Sequence, residues 1–87
     1  MVEKTFTVNR PEGFHLRPAG QLSKCTKDFD CTSTLVYNGQ EIDCKNVISI
    51  VAAAMKSGAE FTIKCEGPEE EKCLAAVSEL ADKNFGD

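Results

Sequence analysis

The period of the apolar positions changes repeatedly along this chain, and the changes divide it into seven elements. Val2, Phe6 and Val8 lie on one side of a threonine-rich segment with a period of two, which predicts a strand over about residues 2–8. Asn9 to Gly13, carrying Pro11, end it. Beyond His15-Leu16-Arg17-Pro18 the period lengthens. Ala19, Leu22, Cys25 and Thr26 recur at helical spacing, with Gln21, Lys24, Lys27 and Asp28 free to face water.

Cys31 to Tyr37 is rich in threonine and β-branched residues, and Gln40 to Cys44 is a second extended run. Asn38-Gly39 between them suits the positive φ angles of a type I′ turn, so the pair predicts a hairpin. Asn46 can cap a short helix running from Val47 towards Met55, stopped by Ser57-Gly58. Phe61, Ile63 and Cys65 alternate with polar residues as a fourth strand, which Gly67-Pro68 ends. A last helix opens on Glu69-Glu70-Glu71, where negative charge suits a helix N-terminus, and carries Cys73, Leu74, Val77, Leu80 and Ala81 on one stripe. The order β-α-β-β-α-β-α with half-polar strands implies an α+β open-faced β-sandwich. It has a four-stranded antiparallel sheet with three helices on one face, in a single domain over residues 1–87.

Composition narrows the function. The chain is 41% apolar and 28% charged, as ordinary globular proteins are. At 87 residues its core must be compact, which disfavours a deep substrate cavern. The longest apolar stretch, Val47 to Met55, is interrupted by Ser49 and far too short to cross a bilayer. No leader-like segment precedes the first strand, and the expected location is the cytoplasm. A net charge of −4 disfavours nucleic acid, but the charge is uneven. Residues 1–30 carry five basic and four acidic side chains, and residues 31–87 carry five and ten.

Cys25, Cys31, Cys44, Cys65 and Cys73 are odd in number and contain no Cys-x-x-Cys pair, a pattern that suits neither a disulfide framework nor zinc. The expectation is that most are small, reduced, buried side chains, with no metal.

The candidate chemistry lies at one junction, where the chain's lone histidine, a helix start, Arg17 and Pro18 coincide. The first N–H groups of a helix lack intrahelical partners and make that end an anion site. Pro18 is tolerated there because its missing N–H is not needed, while Leu16 and Arg17 keep theirs. An imidazole, with an ordinary pKa of about 6.5, is partly an uncharged nucleophile at cellular pH. Arg17 can neutralise phosphoryl oxygens with a planar fork. A helix-terminal histidine alone remains no evidence of catalysis, since most cap or face solvent.

Gly13-Phe14-His15-Leu16-Arg17-Pro18-Ala19 resembles the active-site signature of the HPr family, the histidine-containing phosphocarriers of the bacterial sugar phosphotransferase system. The likeness extends through Tyr37-Asn38-Gly39, Cys44-Lys45-Asn46, Ser57-Gly58-Ala59 and the acidic start of the last helix. It implies that Enzyme I phosphorylates His15, on Nδ1 in family members, that an enzyme IIA domain receives the group, and that Arg17 supports it. It implies docking on the first two helices, here through Gly20, Lys24, Lys27, Val47, Ile48 and Val51. Helical spacing leaves open whether Val47, Ile48 and Val51 face outward or form core, and the expectation is partial exposure of Val47 and Ile48. Leu16 and Pro18 would form the helix start that supports the phosphate. Such a protein is a stoichiometric carrier rather than an enzyme and needs no metal, nucleotide or other cofactor. Nothing in the sequence points to membrane insertion or an obligate oligomer.

Three positions depart from the family pattern. Where some branches carry a kinase-regulated serine at the start of the second helix, this chain has Asn46, which can cap but cannot be phosphorylated. Glu12 stands where small polar residues are common; a carboxylate there would raise the imidazole pKa and repel an incoming phosphoryl group. Leu16 is larger than the usual neighbour of the histidine. These departures leave open a regulatory or nitrogen-branch paralogue, or a non-catalytic binding module using the same helical surface, although the presence of both His15 and Arg17 argues against the latter.

Overall fold

The computed structural model describes residues 1–85. Its elements are β1 (Val2–Thr7), α1 (Leu16–Lys27), β2 (Thr32–Tyr37), β3 (Gln40–Asp43), α2 (Val47–Ala52), β4 (Glu60–Glu66) and α3 (Glu70–Asp82). The four strands form one antiparallel sheet in the order β1-β4-β2-β3. The expected order of elements and the open-faced sandwich are both present.

The alternation of each strand decides which face the helices cover. Phe6 pairs with Phe61, Ser33 with Cys65, and Leu35 with both Ile63 and Ile42, and all of these are buried on the helical side. The opposite face is polar. Thr5 and Thr62, paired across β1 and β4, bring their hydroxyls to 2.9 Å there. Helix α1 contributes Ala19 and Leu22 to the core, α2 contributes Ile50, and α3 contributes Cys73 and Val77. Thr26 is buried on α1 without penalty because its hydroxyl donates to the Leu22 and Ser23 carbonyls within the helix. Cys25, expected on that stripe, is only half-buried.

The hairpin turns as expected, with Asn38 and Gly39 at φ +53° and +81°. Helix α2 stops at Ala52, short of Met55, and the reason lies in the backbone: Ala54 adopts φ +54°, a left-handed residue that ends the helix and reverses the chain. The other difference is at the end of α3. Asn84 and Phe85 both have positive φ, which swings the Phe85 ring back into the core. There it joins Phe6, Phe14 and Phe61 in a cluster whose ring centroids lie 5.1–6.2 Å apart. Among the described residues, no helix is long and apolar enough to cross a membrane.

Candidate functional site

The aromatic cluster sets the position of His15. Phe14, immediately before it, is buried, with its ring 5.3 Å from Phe61 and 5.1 Å from Phe85. The Phe14 N–H donates to the Met55 carbonyl at 2.8 Å. Gly13 makes this docking possible: its φ is +81°, and a Cβ there would lie 2.6 Å from the Met55 oxygen. The loop is thus pressed against residues 54–56 up to Phe14, and the next side chain turns outward. His15 is the N-cap of α1, with extended backbone (φ −92°, ψ −162°), a carbonyl that accepts from the Ala19 N–H at 3.1 Å, and a side chain 39% exposed.

The two ring nitrogens have different neighbours. Nδ1 accepts a long hydrogen bond from the Arg17 N–H at 3.4 Å, so it carries the lone pair. The ring proton then sits on Nε2, which donates to Glu12 Oε1 at 3.2 Å. Glu12 is itself held: the same oxygen accepts from Arg10 Nη2 at 3.2 Å, and Arg10 Nη1 donates to the Asn84 carbonyl at 2.7 Å. The Arg10 side chain is only 4% exposed. A continuous line of hydrogen bonds therefore runs from the end of α3 through Arg10 and Glu12 to the imidazole. The Glu12 carboxyl is held below the usual carboxylate range, first by its own backbone N–H, then by His15, with the Arg10 charge adding to both.

The residues expected at the site divide into several groups. Leu16 (62% exposed) and Arg17 project from the first turn beside His15. Pro18 is buried and has no N–H, so of the two residues expected to support phosphate from the helix start only Leu16 offers a donor, and Pro18 acts by shaping the turn. Gly20 is half-buried on α1, and Lys24 and Lys27 are exposed about 13 and about 18 Å from His15 along the helix axis. On α2, Val47 and Val51 are half-buried and Ile48 is 74% exposed, while Ile50 faces the core. Val51 joins Glu12, Phe14, His15, Ala54, Met55 and Lys56 in lining an open depression. Val47 and Ile48 lie at the other end of α2. Asn46 caps α2 as expected, its Oδ1 accepting from the Ser49 N–H at 3.2 Å.

Arg10 and Lys56 escaped the sequence analysis. Arg10 sits between Asn9 and Pro11 in what reads as a polar loop, and its burial depends on the α3 terminus arriving from 74 residues away. Lys56 follows a helix whose early end was not legible. The depression beside His15 is open, and nothing in it encloses a small molecule. Within it the charged side chains are Glu12 and Lys56, an arrangement that can hold one imidazole in one tautomer and leave the Nδ1 lone pair accessible.

Residues 2–83 match the family model described as PTS HPr component phosphorylation site. A phosphocarrier protein HPr of Chlamydia muridarum is 29% identical over 82 residues, which cover 94% of this chain and 79% of the relative. A phosphoryl donor subunit DhaM of a PEP-dependent dihydroxyacetone kinase from Providencia stuartii is 30% identical over 94% of this chain but only 17% of its own length. Among solved structures, a histidine-containing phosphocarrier protein from a Mycoplasma superposes with a TM-score of 0.90 at 25% identity, covering 97% of both chains.

Proposed function

The chain belongs to the HPr family of phosphocarriers, and from that premise we propose that it takes a phosphoryl group onto Nδ1 of His15 from Enzyme I and passes it to an enzyme IIA domain. The observation that carries this reading is the division of roles on the imidazole: Nδ1 is a lone-pair nitrogen at a helix N-terminus, while Nε2 is engaged by Glu12.

As the Nδ1–phosphorus bond forms, the bond from phosphorus to the donor breaks and takes its electron pair with it. Nδ1 needs no deprotonation, because its proton is already on Nε2. The ring gains positive charge as it bonds to phosphorus, and the Glu12 carboxylate at Nε2 offsets it. That carboxylate contacts Nε2 rather than Nδ1, which supports a role for it in holding the ring over one in repelling the incoming group. The Arg17 N–H, released from Nδ1, turns to a phosphoryl oxygen, joined by the Leu16 N–H and the Arg17 guanidinium. Pro18 fixes the turn that presents them. Lys56, across the depression, adds a second cation.

Partners would dock on the surface of α1 and α2 around Leu16, Gly20, Lys24, Lys27, Val47, Ile48 and Val51. Leu16 and Ile48 are large apolar side chains left in solvent, which supports a recognition role. Ile48→Glu is expected to weaken Enzyme I binding about 10-fold or more without unfolding the protein, and unchanged binding in a titration would remove Ile48 from the interface. Asn46 at the start of α2 supports the absence of serine-kinase control at that position. The protein acts as a cytoplasmic, stoichiometric carrier that turns over nothing alone.

A second reading is favoured by the DhaM relative: the acceptor belongs to a phosphoryl chain that serves a kinase rather than sugar uptake. The chemistry at His15 is the same. Incubation with phosphoenolpyruvate and catalytic Enzyme I should add one acid-labile phosphoryl group by intact mass, and none to His15→Ala. A folded wild-type protein that no Enzyme I labels would overturn the carrier reading in both forms. Transfer from the labelled protein to a IIA domain or to a kinase subunit then separates the two.

A further inference from the structure

Beyond the C-terminal end of α1, three cysteines distant in sequence converge. Cys31 lies just ahead of β2, Cys65 in β4 and Cys73 in α3, and their Sγ atoms all lie within 4.8 Å of one another. Cys65 and Cys73 are fully buried, and Cys31 reaches the surface with 8% exposure. We propose that these three thiols form a binding site for a soft monovalent metal ion, Cu(I), independent of the phosphoryl site.

The donor set argues for this ion. Three thiolates sharing one metal at bond lengths of about 2.3 Å sit about 4 Å apart, so small side-chain rotations close the site. The group contains only sulfur, with no carboxylate or imidazole. Structural zinc takes four ligands, whereas all-thiolate sets of lower number suit Cu(I). The lone histidine is at the opposite end of α1, a helix length of about 18 Å away.

Two neighbours distinguish this corner from an ordinary apolar packing site. Ser33 is paired with Cys65 across β2 and β4 and is 1% exposed. Its hydroxyl lies beside the Cys44 thiol but finds no hydrogen-bond partner of good geometry among the described residues. Lys45 brings its ammonium to 3.4 Å from the Cys31 carbonyl, a positive charge at the rim that offsets an anionic metal–thiolate centre. Burial pushes the Cys65 and Cys73 thiols up. Binding replaces each S–H bond with a Cu–S bond and releases one proton to solvent per thiol. Copper stays Cu(I) throughout, and no oxidant or reductant is consumed.

The test is an anaerobic titration of the reduced, metal-free full chain with acetonitrile-stabilised Cu(I), against a chromophoric Cu(I) chelator. One Cu(I) per chain should leave the chelator, with an ultraviolet thiolate-to-copper band that saturates at one equivalent. X-ray absorption at copper should show three sulfurs at about 2.3 Å, a readout that needs no variant. Cys73→Ala and Cys65→Ala should lower the affinity at least 100-fold, whereas Cys25→Ala should leave it unchanged. Copper that remains with the chelator, a two-sulfur centre, or equal affinity in folded Cys73→Ala and Cys65→Ala would each overturn the site.

Discussion

The two ends of α1 treat their reactive groups in opposite ways. At the N-terminal end the imidazole of His15 is partly exposed, with both ring nitrogens engaged by hydrogen bonds to neighbours within three residues in sequence. At the C-terminal end three nucleophiles, Cys31, Cys65 and Cys73, are withdrawn into the core from three separate parts of the chain. On the proposed carrier reading the phosphoryl acceptor has to be reachable, so its reactivity is set by orientation. A thiol that has no such task is silenced by burial, which penalises the thiolate and leaves the protonated form. One sheet supports both ends: β4 carries Phe61, on which Phe14 packs, and Cys65, four residues further along the same face.

The sharpest way to test the contrast is thiol chemistry. Burial pushes the Cys44 thiol up to about 12, and Cys65 and Cys73 in the same direction, while Cys25 is half-exposed and raised by desolvation with help from Asp28 and Glu79. Against an ordinary thiol, taken as 9.0, a value of about 12 leaves Cys44 with about a thousandth of the thiolate at pH 8. Alkylation of the native, metal-free protein followed by peptide mapping should therefore mark Cys25 first. Cys44, Cys65 and Cys73 should follow only on unfolding. Labelling of all five at one rate would erase the distinction between buried and half-exposed thiols.

Gly13→Ala attacks the open end through its anchor. The new Cβ meets the Met55 oxygen at 2.6 Å at a positive φ, so a loss of about 2–3 kcal/mol is expected, measured by urea denaturation. Phosphoryl acceptance should fall with it, as Phe14 lifts and His15 loses its position. The Cys25 alkylation rate should be unaffected, which would show that the two ends are separable.

Glu12→Gln leaves the backbone in place and removes the charge that stabilises the Nε2–H tautomer. Acceptance from Enzyme I should slow about 10-fold, as for other carboxylates that orient a working histidine. The sign with pH follows from the lowered carboxyl. Its interactions add stability above the unfolded carboxyl pKa and are lost as pH falls through the lower folded value, so wild type and variant should converge in acid. A variant that accepts phosphoryl at the wild-type rate would leave Glu12 as a surface bystander.

The smallest effect is a gain. Ala54 holds φ +54° where glycine would be unstrained, so Ala54→Gly should raise stability by about 1 kcal/mol in thermal unfolding. Because Ala54 lines the depression beside His15, the same variant asks whether that strain assists transfer.

Much of this architecture is local and therefore legible in the residues. The Asn38-Gly39 turn, the Asn46 cap, the strand alternation and the His15-to-Pro18 helix start each depend on a few neighbouring side chains, and each is present in the structure. The end of α2 was misjudged because a left-handed alanine carries no signature in sequence. Local patterns also marked His15 and Glu12 as neighbours of interest, but not which nitrogen faces which group. That depends on Arg10, and Arg10 depends on the Asn84 carbonyl.

The cysteines mark the same boundary more sharply. Their spacing contains no ligand pair, and the expectation of small buried side chains holds for four of the five. What placed Cys31, Cys65 and Cys73 within 4.8 Å was the β2–β4 register together with the docking of α3 against the sheet. The sequence by itself determined the elements, the turn chemistry and the exposed histidine, because these follow from side-chain period and from backbone preferences within a few residues. Only the tertiary structure decided the thiol cluster and the hold on Glu12, because long-range packing alone brings the three thiols together and sets the Asn84 carbonyl against Arg10.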